Sequence, residues 1–126
     1  MQFMLMFYKH QERYALVPDS EKRKASEACD TWFEKLKQSG HGRAINRLHG
    51  IDRAATVRKS EKHFLVTDGP FAETKEVLAG YAILECRDLA EALELAKTFP
   101  AVEIGLAVEA RPVMTGEENV QCWQST

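Results

Sequence analysis

Three carboxylates and one ammonium fall within a single short stretch, as Asp68, Glu73, Lys75 and Glu76 of Thr67-Asp68-Gly69-Pro70-Phe71-Ala72-Glu73-Thr74-Lys75-Glu76. Side chains of these types hold polar ligands, relay protons and shift one another's ionisation. Each also has a plainer use. Asp68, ahead of Gly69-Pro70, suits a turn in which its carboxylate bonds the backbone and Gly69 supplies an unusual conformation. Its chemical role would be that of a base or ligand-holder in a cleft. Glu73, Lys75 and Glu76 either orient a ligand or form a solvated charged loop, and Phe71 reads as an anchor pinning the loop to the core. Arg58 and Arg111 carry forked guanidinium groups suited to a carboxylate or phosphate. Their structural alternative is pairing with Asp68 or Glu109.

His10, His41, His49 and His63 show no His-x-x-x-His or similar spacing, so no metal site is expected. His49, in a turn beside Gly50, is the histidine that best completes an acid–base pair with Asp68. Cys29 falls on an apolar helical face and reads as a small buried hydrophobe. There is no glycine-rich phosphate loop and no nucleophile elbow, and no cofactor is expected.

These residues need a scaffold. Phe3–Tyr8 is too short for a helix of its own and reads as a buried strand, followed by a polar loop over Lys9–Val17. Pro18-Asp19-Ser20 announces a helix, with Asp19 or Ser20 as its cap. Ala25, Ala28, Cys29, Trp32, Phe33 and Leu36 give that helix one apolar face, and Gly40 stops it. Ala44–Leu48 is a weak strand. Ala55–Arg58 and His63–Thr67 flank a turn and read as a hairpin. The chemical loop comes next, then a strand from Leu78 to Cys86. Asp88-Leu89-Ala90-Glu91 has the form of a capping box for a second helix, whose apolar face is Leu89, Ala92, Leu93 and Ala96. Alternation from Ile104 to Ala110 predicts a last strand. Residues 1–113 thus read as one domain and 114–126 as a polar tail.

This order predicts an α+β fold with an antiparallel sheet, the split β-α-β arrangement of ferredoxin-like domains. Both sides of Phe3–Tyr8 and of Leu78–Leu84 are apolar, yet two helices cover only one sheet face. A second copy covering the other face, as a homodimer, is the economical expectation. The 126 residues and net charge of −2 exclude a strong field for nucleic acid, and no apolar run is long enough to span a bilayer. Three widely spaced cysteines suit a reducing cytoplasm rather than a disulfide framework.

Asp68-Gly69-Pro70-Phe71-Ala72-Glu73-Thr74-Lys75-Glu76 resembles the hallmark of the DGPF-domain branch of YCII-related proteins. Leu78, Gly80 and Tyr81 fit the positions just after that hallmark, and Thr56-Val57-Arg58 and Glu109–Val113 fit elsewhere, with Ala110 in place of the usual valine. The resemblance implies a dimeric α/β barrel. It implies less about chemistry. A related branch includes a dehydrochlorinase of chlorinated hydroxyquinols, and the wider family is credited with a His–Asp pair whose His sits on the first helix. Here no histidine occurs between Asp19 and Gln38, and Cys29 and Asp30 occupy roughly that turn. Two functions are compatible with these residues. One is a small enzyme of lyase or isomerase type, transferring protons in a cleft near Asp68–Glu76, with Asp68 and His49 catalytic and Arg58, Glu73, Lys75 and Glu76 binding a small molecule. The other is a non-catalytic binding or regulatory module, linked by the resemblance to extracytoplasmic-function sigma factors.

Overall fold

The apolar run at the N-terminus forms the middle of β1 (Gln2–His10), whose alternate residues Phe3, Leu5 and Phe7 point into the core. This computed structural model describes residues 1–125, the side chains of Cys122, Gln124 and Ser125 excepted. β1 lies between β5 (Glu76–Glu85) and β6 (Ala107–Pro112), and β2 (Gly42–Arg47) flanks β5, giving the antiparallel order β2-β5-β1-β6. β1 and β2 are thus split by β5, which is the ferredoxin-like arrangement predicted from the sequence. α2 (Asp19–Gln38) and α3 (Leu89–Lys97) supply the core residues that meet the sheet, namely Cys29, Trp32, Leu36, Ala92 and Ala96. At its centre the rings of Phe7 and Phe99 stack at 4.2 Å, and Trp32 meets both edge-on. The Trp32 indole N–H donates to Thr98 Oγ1 at 2.7 Å, and Thr98 in turn donates to the Leu95 carbonyl, so its polar atom is satisfied. No helix is long and apolar enough to cross a membrane among the described residues.

Local capping departs from the sequence reading in instructive places. A short helix, α1 (Gln11–Ala15), replaces the expected loop because His10 Nδ1 accepts from the Arg13 N–H at 3.3 Å. α2 starts one residue early: Pro18 is its cap residue, with no side-chain bond, and Asp19 and Ser20 already lie inside the helix. Asp88 caps α3 as expected, its Oδ1 accepting from Glu91 N–H at 2.9 Å. That helix nevertheless turns Leu89 and Leu93 to solvent, while Ala92 and Ala96 bring its axis close to the sheet. Pro100–Ile104 form a 3₁₀ turn and Gly105 takes φ +98°, so β6 begins only at Ala107. Inside the stretch read as a tail lies α4 (Gly116–Ser125). Thr115 and Glu118 cap it reciprocally, an S/T-x-x-E signature that the sequence reading passed over.

β3 (Ala55–Ser60) and β4 (His63–Asp68) form a separate two-stranded sheet, turned at Glu61 with φ +53°. Apart from Thr56, every residue of the hairpin is exposed. Among the described residues it makes no substantial packing contact with the helices or the main sheet.

Candidate functional site

The Asp68–Glu76 loop is tied to the hairpin. Gly69 takes φ +98°, the left-handed conformation expected of it, and its N–H donates to the Ala54 carbonyl at 2.7 Å. Thr56 Oγ1 donates to the Gly69 carbonyl at 2.9 Å, and Arg58 Nη2 donates to the Phe71 carbonyl at 2.8 Å. The expected backbone bonds to the Asp68 carboxylate are absent among the described residues; Thr56 and Arg58 hold the turn instead. Arg58 is therefore engaged with a backbone carbonyl, not with Asp68 or Glu109. Phe71 is 74% exposed and anchors nothing in the core, because the loop follows the projecting hairpin rather than the sheet. Asp68 ends β4 opposite Ala55, while His49 lies before the 3₁₀ turn Ile51–Arg53 with its ring against Arg53 Nη1 at 3.2 Å. Glu73 is exposed.

Two hollows lie where β1 ends and β5 begins. The first is a cavity of about 220 Å³ between α2, the sheet and the 3₁₀ turn Pro100–Ile104. Phe7, Phe33 and Phe99 line it, together with Cys29. Gly80 is needed beside it, since a Cβ there would meet the Asn46 carbonyl of the neighbouring strand at 2.9 Å. Lys9, Lys22 and Arg47 also line it, and no carboxylate does. Lys9 Nζ and Lys22 Nζ each lie 4.8 Å from the Tyr14 ring centre, which α1 places at the same edge. Arg47 Nη1 pairs with Asp30 at 2.8 Å, Nη2 donates to the Ser26 carbonyl, and the guanidinium covers the Phe33 ring. Lys22 reaches Asp19 only at 4.0 Å, and Lys9 forms no ion pair among the described residues. Burial raises the Cys29 thiol above its ordinary value, outweighing a backbone bond at Ala101. None of these cations was singled out in the sequence, because their meeting depends on α1, α2 and β2 together.

The second hollow is a wider groove of about 850 Å³. It gathers Thr74, Lys75 and Glu76 from the loop with Tyr8, His10 and Glu109. Lys75 and Glu76 thus share a surface, whereas Asp68, His49, Arg58 and Glu73 line neither hollow. Burial first, then the Glu109 charge and a hydrogen bond to it, raise the Tyr8 hydroxyl above its usual value. Among the described residues no three His, Cys, Asp or Glu side chains gather as a metal site.

Residues 1–116 match the YCII-related domain. An uncharacterized protein of Rhizobium meliloti (strain 1021) is 43% identical over 63 residues, which are 50% of this chain and 51% of that protein. The match therefore spans about half the length of that curated relative. Among solved structures, 5-chloro-2-hydroxyhydroquinone dehydrochlorinase from Burkholderia phenoliruptrix AC1100, in complex with 2,5-dihydroxybenzoquinone, superposes with a TM-score of 0.51 at 16% identity. That likeness covers 94% of this chain and 98% of the other, and it is a likeness of fold. With the split sheet and a family match running nearly from end to end, the chain belongs to the YCII-related domain family.

Proposed function

We propose that the protein binds a small planar ring compound bearing an acidic group, in the cavity between α2 and the sheet. One observation carries the reading: three phenylalanine rings line a cavity whose cations, Lys9, Lys22 and Arg47, have no carboxylate among the lining residues. Ring faces take up a flat apolar body, and the Lys9 and Lys22 ammonium groups draw its anionic substituent into place, Arg47 being held by Asp30. A dry cavity of ~150 Å³ accepts benzene, so the volume here suits a single substituted ring. The similarly folded dehydrochlorinase bound an oxygenated ring, which fits the same size class. Burial of the Cys29 thiol, which raises it above its ordinary value, favours binding without covalent chemistry. Within the family, the Asp68–Glu76 stretch supports the DGPF branch, the two-sided apolar sheet supports a homodimer joined through its helix-free faces, and the three widely spaced cysteines support a cytoplasmic setting.

Calorimetric titration tests the site with benzoate and hydroxylated benzoates, using benzamide as the uncharged control. The acids should bind and benzamide should not. Lys9→Met and Lys22→Met should each weaken binding about tenfold or more, the effect of losing a charge-assisted bond. Equal binding of acid and amide, or indifference to both substitutions, would sink the proposal.

A second reading, proton-transfer catalysis of lyase or isomerase type, is favoured by the groove beside the loop. There the Tyr8 hydroxyl, kept protonated by burial and Glu109, faces the same groove as Lys75 and Glu76. NMR of the same ring compounds after incubation would reveal turnover. Product formed by the parent and lost in Tyr8→Phe and Lys75→Ala would favour this reading over simple binding.

A further inference from the structure

Lysines ordinarily hold their ammonium groups out in water, and seven of the nine in this chain are exposed. The two exceptions, Lys9 and Lys22, are half-buried, and both stand at the cavity between α2 and the sheet. They reach it from different elements, Lys9 from β1 and Lys22 from α2. Among the described residues Lys9 forms no ion pair, and Lys22 reaches only Asp19, at 4.0 Å, whose side chain is 94% exposed. What the two lysines share is Tyr14. Its ring centre lies 4.8 Å from each Nζ, within the distance at which an ammonium is drawn to an aromatic ring. The two nitrogens are therefore at most twice that distance apart, although their charges repel. The ring is brought to this edge by α1, which buries no residue of its own. Polar bonds hold that short helix: His10 Nδ1 accepts from the Arg13 N–H, and the Gln11 N–H donates to the Lys75 carbonyl at 3.3 Å.

We propose that Tyr14 is a positioning residue, which holds Lys9 and Lys22 together as one cationic mouth for the acidic group of the ligand. The proposal rests on the ring-acid reading above and adds the device that prepares the site. A lysine stem is long and rotatable, and ordering it at the moment of binding weakens the complex. The Tyr14 ring supplies that order before a ligand arrives. Its negative face also offsets the repulsion between the two ammonium groups. Unlike a carboxylate, a ring does not neutralise the charge it holds. Arg47 shows the contrast, because its guanidinium is occupied by Asp30 and the Ser26 carbonyl. The acidic group is then bound at the α1 edge, and the body of the ligand lies toward the three phenylalanines.

Titration of benzoate into the parent, Tyr14→Leu and Tyr14→Phe tests the assignment. With no buried residue on α1, leucine should leave the fold intact. Tyr14→Leu should weaken binding about fivefold or more, while Tyr14→Phe, which keeps the ring, should stay within about twofold of the parent. In a Lys22→Met background the cost of Tyr14→Leu should shrink, since one of the two ammonium groups it holds is gone. A readout without ligand accompanies these. After reductive ¹³C-methylation, two lysine signals should be displaced by the ring current in the parent and in Tyr14→Phe, and return to the common position in Tyr14→Leu. Lys9→Met and Lys22→Met should each remove one of them. Equal losses in the leucine and phenylalanine variants, or a leucine cost that is unchanged without Lys22, would make Tyr14 an ordinary wall of the cavity and overturn the proposal. Undisplaced lysine signals, or undiminished binding in Tyr14→Leu, would overturn it while leaving the ring-acid reading in place. A parent that does not bind benzoate would overturn that reading and this one with it.

Discussion

Cys29 and Cys86 are both buried, and burial raises each thiol above its ordinary value, more than the nearby charges alter it. The native thiols therefore keep their protons at a pH where the unfolded ones have lost them. With more protons bound in the native state, stability falls as pH rises. The loss begins near the ordinary thiol value of 9.0 and continues towards the raised native values, while below that range both states are protonated and the thiols contribute no pH dependence. Thermal unfolding followed from about pH 7.5 to about pH 10.5 should show a falling midpoint. Cys29→Ala should flatten the slope even though it lowers stability at every pH by leaving a small cavity. A parallel slope in the variant would mean that another group, Tyr8 first, sets the alkaline limit.

Among the elements, the turn at Gly69 is the most informative. At φ +98° a side chain is strained, although no atom lies within 4 Å of the place a Cβ would take. Gly69→Ala should thus cost about 1 kcal/mol or more through backbone strain alone, measured as a lower unfolding midpoint, while Gly69→Asn should cost less. This conformation was legible from Gly69-Pro70, as were the sheet order from element succession and the α3 cap from Asp88-Leu89-Ala90-Glu91. The features that eluded sequence reading depend on neighbours distant in the chain. Leu89 and Leu93 fit a helical apolar stripe as well as Ala92 and Ala96 do, and only the close approach of helix to sheet selects the alanines. The cationic cavity was hidden for the same reason: Lys9, Lys22 and Arg47 come from three elements and look like ordinary solvated charges one by one. Asp68 and His49, prominent by type, occupy separate segments and line neither hollow.

For the whole molecule, one sheet face is covered by helices, the opposite face leaves Met4, Tyr81 and Ile83 half-buried, and the β3–β4 hairpin stands exposed. The two-sided apolar strands announced that opposite face. The exposure of the β3–β4 hairpin did not stand out, because Val57, Phe64 and Val66 alternate like any half-buried strand pair and the sequence does not say that no core lies beneath them. The aromatic packing has an optical consequence at this same scale. Trp32 is 7% exposed and touches Phe7, Phe33 and Phe99, the rings that line the cavity, while Trp123 is 87% exposed at the other end of the chain. Emission should therefore have two components, a blue one shielded from iodide and a red one open to it. Trp123→Phe should leave the blue component alone, and a ring compound entering the cavity should shift or quench that remaining light. Emission unchanged at saturating ligand would place the ligand away from the three phenylalanines; a change would make Trp32 a native gauge of occupancy, readable without any label.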